Sequence, residues 1–179
     1  EQCQQIDITN PPILLEPIGR NTAPAIAAAA LQSIKDSKDS VLLVLSADHV
    51  IQDVKAFHKA INIANKQAQS NKLAIFGIVP TDANTDYGYI KASEDNNDGA
   101  YKVDEFVEKP NLLTAQSYLE QGNYLWNSGM FMFQAKTLIG ELTTHSPDIM
   151  KAVHNAVDNA TQDFDFIRLE KQAFESSPN

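Results

Sequence analysis

Residues 41–51, VLLVLSADHVI, constrain this chain more than any other stretch. Five consecutive apolar residues, two of them β-branched, predict a strand buried on both faces of a parallel sheet. The run stops at Ser46 and Ala47 and delivers a carboxylate, Asp48, past the strand's C-terminal end. Open α/β sheets bind ligands there, because helices cover the sheet faces and the crevice lies beyond the strand tips. An acidic side chain in that place suits a hard cation such as Mg²⁺, which bridges carboxylate to phosphate oxygens. Capping of the next turn is the other reading of Asp48, and the residues alone leave both open. His49 need not share the face of Asp48 and reads as packing or a turn contact.

Charge and cysteine content narrow the partners. The net charge of −9 argues against broad attraction to nucleic acid or to an anionic membrane, though a local basic pocket for phosphate remains compatible with it. One cysteine, Cys3, excludes an internal disulfide and a cysteine-built zinc site and suits a reducing, cytoplasmic setting. No apolar run is long enough to cross a bilayer, and the polar start EQCQQ is not a signal peptide. The first residue is not methionine, so processing, or a piece of a longer protein, is expected.

Taken in order, ILLEP over 13–17 reads as a short apolar strand that Pro17 ends, and GRNTAPAI over 19–26 runs into an alanine-rich helix. Asn21 or Thr22 can cap that helix, and Pro24 fits its first turn. Its free N–H groups, with Arg20 just before them, could receive an anion or a base edge; a plain capped core helix explains the alanines but not Gly19 and Arg20. After the Asp48 strand, Asp53 reads as an N-cap, and Phe57, Ala60, Ile61, Ala64 and Ala68 recur at helical spacing until Asn71. Residues 73–79 are a second buried strand. This strand–helix alternation predicts a doubly wound α/β sheet in one domain, residues 1–179.

Three further sites follow. Gly88, between Tyr87 and Tyr89, would let a ligand approach the backbone while the rings bracket it, or else marks a strand bulge. Glu108 and Lys109, fixed by Pro110, could take sugar hydroxyls and a phosphate, or form a solvated ion pair. Asn127, Ser128 and Gly129 interrupt the apolar strand 124–133 with polar groups that need a partner, for which a sugar hydroxyl is a candidate. An acidic turn near residues 94–99 connects a hairpin. Helices follow around Leu112–Leu119, Leu138–Leu142 and Ile149–Ala160, and residues 164–174 read as weakly helical.

EPIGRNTAPAI at 16–26, LSADH at 45–49, FGIVPT at 76–81, YGYI at 87–90, FVEKP at 106–110 and WNSGMF at 126–131 occur in this order. Together they closely resemble mannose-1-phosphate guanylyltransferases (GDP-mannose pyrophosphorylases) of the bacterial type, from about residue 6 onward. The resemblance implies a three-layer, Rossmann-like nucleotide-diphospho-sugar transferase fold whose sheet is mixed and mainly parallel. It implies GTP and mannose 1-phosphate as substrates, GDP-mannose and pyrophosphate as products, and Mg²⁺ as cofactor. By resemblance Asp48 is the metal ligand, Arg20, Asn21 and Thr22 lie beside the guanine nucleotide, Gly88, Glu108 and Asn127 contact the mannose, and Lys109 its phosphate. Asp48 and Lys109 are thereby the catalytic pair, and a homo-oligomer is compatible with the family.

The departures are as informative. The family's glycine-rich triphosphate loop and first strand have no counterpart in this sequence, nor does the region expected to supply a second metal-binding Asp. Asp86 stands where the family commonly has Gly. The expectation is therefore an internal piece of a catalytic domain, inactive by itself. A non-catalytic sugar-nucleotide-binding or regulatory module of the same fold is the alternative.

Overall fold

The computed structural model describes residues 4–8, 11–35, 39–97 and 99–178. After a 3-10 turn at Gln4–Ile6, the elements are β1 (Ile13–Leu15), α1 (Thr22–Lys35), β2 (Val41–Val44), α2 (Val54–Gln69), β3 (Ala74–Ile78), β4 (Tyr89–Asn97) and β5 (Ala100–Val107). They continue with α3 (Leu112–Gln121), β6 (Tyr124–Gln134), α4 (Ala135–His145), α5 (Pro147–Asp158), β7 (Thr161–Asp163), β8 (Phe166–Arg168) and α6 (Lys171–Glu175). Two compact units result: an inserted unit, Val41–Gln134, and a flanking unit, Glu1–Ser40 with Ala135–Asn179.

In the flanking unit the alanine face of α1 (Ala27, Ala28, Leu31) packs with Met150, Val153, Ala156 and Val157 of α5 and with Leu169 and Phe174. Small residues on α1 allow the close approach, and the α5 residues recur at the spacing of one helix face. β1 pairs in parallel with β8, and β8 antiparallel with β7. The chain leaves and re-enters this unit at one point. Ala135 N–H donates to the Ser40 carbonyl at 2.8 Å, and Lys136 N–H to Asp39 Oδ1 at 2.9 Å.

Residues 164–174, expected to be weakly helical, are mostly not. Phe164 turns the chain through a left-handed φ of 53°, and Arg168 pairs with Asp163 across the resulting hairpin at 2.8 Å. Only Lys171–Glu175 is helical, with Glu170 capping it. Its carboxylate accepts from the N–H groups of Gln172 and Ala173, which holds its pKa below the usual carboxylate value.

The inserted unit is organised by β6. β2 and β3 lie on opposite edges of it, pairing with Phe131–Gln134 and Trp126–Met132 respectively, while β4 pairs with Tyr124–Trp126 and then with β5. Every one of these pairings is antiparallel, which corrects the expectation of a mainly parallel sheet. β2, β3 and β4 do run in one direction, but β6 runs against all three and separates β2 from β3. β1 with β8 is the one parallel pair among the described residues. The α/β class and the mixed sheet stand.

The first-ranked strand is shorter and less buried than its composition suggests. β2 ends at Val44, its four residues are half-buried, and Leu45 is 50% exposed. Among the described residues it has a strand partner on one edge only. β3 likewise buries only Phe76. α2 covers Phe76, Met130 and Met132 with Phe57, Ala60, Ile61, Ala64 and Ala68, the residues its periodicity singles out. Asp53 caps it by accepting from Ala56 N–H at 2.9 Å, and Asn71 leaves it at φ 58°. α3 is capped by Asn111 and ended by Gly122 at φ 73°.

Candidate functional site

The start of β4, the end of β5 and the interior of β6 meet at Gly88. The register that sets Tyr89 opposite both Val107 and Trp126 makes their chain neighbours Gly88, Glu108 and Asn127 adjacent. Asn127 N–H donates to the Gly88 carbonyl at 2.7 Å. A Cβ placed on Gly88 would lie 2.8 Å from Glu108 Oε2, 3.0 Å from Phe106 Cζ and 3.5 Å from Asn127 Cβ. Gly88 does not take the left-handed φ, so space rather than backbone conformation excludes a side chain here. Its missing Cβ is the floor of a cradle walled by a carboxylate, an amide and an aromatic ring.

Asn127 belongs to a bulge that is built from its own polar groups. β6 carries extra residues between its pairings with Ile75 and Gly77, and Gly129 takes φ 70° there. Ser128 Oγ donates to the Phe76 carbonyl at 2.6 Å and accepts from Met130 N–H at 3.2 Å. Ser128 and Gly129 therefore need no ligand to satisfy them. Asn127 Oδ1 accepts from Gly129 N–H at 3.1 Å, and its NH₂ has no partner among the described residues.

Lys109 follows with φ 46°, a conformation that costs an L side chain of order 1 kcal/mol, immediately before the buried Pro110. Its Nζ lies 3.7 Å from Glu108 Oε1 with both side chains more than half exposed, so the pair contributes less than about 1 kcal/mol to stability.

The tyrosines do not bracket Gly88. Tyr89 is fully buried, with its hydroxyl donating to the Asn84 carbonyl at 2.8 Å, and Tyr87 meets Trp126 edge-on at 5.1 Å. Tyr124 stacks on Tyr118 at 3.8 Å and donates to Glu105 Oε2 at 3.0 Å. Burial first, then the Glu105 carboxylate, pushes the Tyr124 hydroxyl up to about 12. The aromatic neighbour that does reach the cradle is Phe106, which sequence reading placed in a motif without a role. Strand alternation sets Phe106 and Glu108 on one face, but only the long-range register brings Gly88 beneath them.

Asp48 lies in an exposed turn after β2. It does not cap α2, which Asp53 does, and it has no hydrogen-bond or ion-pair partner among the described residues. His49 is exposed as well, so the packing role expected of it does not hold. Among the described residues no three His, Cys, Asp or Glu side chains form a group that could hold a metal.

In the flanking unit, Arg20 donates through its guanidinium to the Glu175 carbonyl, while its Nε is buried without a partner among the described residues. Asn21 takes φ 55°, and Thr22 begins α1 with its side chain exposed. Arg20 thus ties α6 to the start of α1, whatever else it holds.

The family model described as nucleotidyl transferase matches residues 1–172. The chain belongs to the nucleotidyl transferase family. Among curated relatives it is 51% identical over 181 residues to the mannose-1-phosphate guanylyltransferase RfbM of Salmonella typhimurium, covering all of this chain and 38% of that protein. The xanthan biosynthesis protein XanB of Xanthomonas campestris is 51% identical over 179 residues with the same coverage. The mannose-1-phosphate guanylyltransferase of Escherichia coli is 46% identical over 182 residues, 39% of its length. The chain therefore spans under two fifths of these relatives. Among solved structures it superposes with a TM-score of 0.83 on the mannose-6-phosphate isomerase from Helicobacter pylori, at 34% identity over 97% of this chain and 67% of that one. A Thermus thermophilus protein titled mannose-1-phosphate geranyltransferase gives 0.81 at 29% identity, covering 99% of this chain and 50% of that one. Both solved structures share the α/β fold described above. No helix among the described residues is long and apolar enough to cross a membrane.

Proposed function

We propose that this chain is the sugar-phosphate side of a mannose-1-phosphate guanylyltransferase, which joins GTP and mannose 1-phosphate into GDP-mannose and pyrophosphate. The observation that carries this reading is the convergence of Glu108 and Asn127 on Gly88, with the Lys109 ammonium 3.7 Å from the Glu108 carboxylate. The names of curated relatives 46–51% identical to this chain support it. The family match running through both compact units supports reading residues 1–179 as one partial nucleotidyltransferase domain.

In this reading Glu108 accepts from sugar hydroxyls and the free NH₂ of Asn127 donates to one. Lys109 offsets the charge of the sugar phosphate, whose oxygen attacks the α-phosphorus of the nucleotide in line. Such a displacement needs positioned groups and charge stabilisation rather than a protein nucleophile. The exposed carboxylate of Asp48, with no partner of its own, fits a single protein ligand for Mg²⁺, whose remaining ligands would be phosphate oxygens and water. A bound divalent ion would supply charge neutralisation to the triphosphate. Arg20, Asn21 and Thr22 would contact the guanine nucleotide. A reaction that consumes GTP is compatible with a cytoplasmic location.

A thermal-shift panel tests the assignment, since a ligand that binds only the folded chain raises its melting temperature. The panel holds Mg²⁺ with GDP-mannose, UDP-glucose, dTDP-glucose, NADH, mannose 1-phosphate or mannose 6-phosphate. Selective stabilisation by GDP-mannose and mannose 1-phosphate, lost in Lys109→Ala, is the expected result. Preference for another sugar nucleotide overturns the substrate assignment. Preference for mannose 6-phosphate moves the protein toward the isomerase name carried by the Helicobacter pylori structure.

A further inference from the structure

Phe106 is 48% exposed and belongs to none of the three apolar clusters formed by the described residues. Single exposed apolar side chains are ordinary on protein surfaces. What separates Phe106 from the others is its direction. The far end of its ring, Cζ, comes within 3.0 Å of the Gly88 Cβ position, the point that Glu108 Oε2 approaches to 2.8 Å. Tyr87, the other half-exposed ring beside Gly88 in sequence, is taken up by its edge contact with Trp126. Phe106 has no such ring partner among the described residues.

A hexose has two kinds of surface, a rim of hydroxyls and a face of C–H bonds. Glu108 and the unpartnered NH₂ of Asn127 suit the rim. Neither offers anything to the face. The π-surface of an aromatic ring is electron-rich and attracts weakly polarised C–H groups, and ligand sites commonly combine an aromatic wall with a few placed polar groups. We infer that Phe106 is a specificity-determining residue of the cradle, packing its ring against the C–H face of a cyclic sugar phosphate. This rests on the sugar-phosphate reading above and adds a discrimination that Glu108, Asn127 and Lys109 cannot supply. An acyclic polyol phosphate offers those three the same kinds of group, hydroxyls and a phosphate monoester, but presents no ring face to Phe106.

Saturation-transfer NMR on the 179-residue chain tests this with mannose 1-phosphate and glycerol 3-phosphate as probes. In the unaltered chain, irradiating aromatic protons is expected to saturate the sugar C–H protons, and deuterating the phenylalanine rings to abolish most of that transfer. Phe106→Leu is expected to weaken mannose 1-phosphate about fivefold, while Phe106→Tyr stays within about twofold and glycerol 3-phosphate is unchanged throughout. Undiminished transfer after ring deuteration, or wild-type affinity for mannose 1-phosphate in Phe106→Leu, overturns the inference. The deuteration arm needs no folded variant. If the unaltered chain holds glycerol 3-phosphate as tightly as mannose 1-phosphate, the sugar-phosphate reading itself fails, and the role of Phe106 fails with it.

Discussion

At the scale of single residues, the backbone of Lys109 and the missing side chain of Gly88 make opposite kinds of demand. Lys109 holds φ 46° where glycine would rest without penalty. Lys109→Gly is therefore expected to be more stable than Lys109→Ala by about 1 kcal/mol in urea denaturation, while both lose affinity for mannose 1-phosphate. Equal stability of the two would mean that the left-handed backbone costs nothing. Gly88 lacks room rather than conformational freedom. The atoms nearest its Cβ position are the movable ends of Glu108 and Phe106, so Gly88→Ala is expected to fold with a loss of about 1 kcal/mol. Binding should weaken by a comparable amount, about tenfold in a titration with mannose 1-phosphate, because Glu108 is pushed aside. Tyr124 gives a prediction in pH. Its hydroxyl is raised to about 12, so the fold favours the protonated form. That contribution is complete below the ordinary tyrosine value of about 10 and is lost as pH rises through the folded value. A tyrosinate absorbance titration should show one ring ionising near pH 12, and Glu105→Gln should lower that value without restoring it fully, since burial is the larger cause.

At the scale of elements, what could be read from the chain was what depends on near neighbours. The helix α2 was legible because Asp53, the apolar spacing from Phe57 to Ala68 and the stop at Asn71 all act within a few residues. Replacing Asp53 with Ala should cost about 1 kcal/mol in chemical denaturation and Asp53→Asn much less, since either oxygen can accept from Ala56 N–H. Strand pairing obeys no such local rule. Residues 41–44 and 74–78 look like neighbours in a parallel sheet, and nothing near either of them announces that residues 126–134 will lie between. The same holds for the cradle. Glu108 and Lys109 stand out by their polarity at a strand end and Asn127 by its polarity inside an apolar strand, whereas Phe106 looks like any strand aromatic until register sets it over Gly88. Residues 127–129 were noticed for their polarity, yet Ser128 and Gly129 are absorbed by the bulge and only Asn127 keeps a free donor.

At the scale of the whole molecule, the inserted unit is one continuous segment whose first and last residues, Val41 and Gln134, are themselves strand partners. Residues 41–134 expressed separately are expected to unfold in one cooperative transition, followed by far-UV circular dichroism and by the fluorescence of Trp126, the chain's single tryptophan. A gradual, non-cooperative loss of signal would show that the clusters around Phe76 and Tyr124 cannot sustain the sheet alone. The flanking unit, by contrast, is assembled from two segments far apart in sequence.

The hydrogen bond between Ala135 and Ser40 makes that arrangement reversible in an evolutionary sense. A chain that departs and returns through one 2.8 Å contact leaves behind a seam that a two- or three-residue bridge could close. Recombination at such a seam exchanges a whole cassette without rethreading its host. Whatever the cassette contributes can then be inherited, shuffled or grafted independently of the scaffold that carries it.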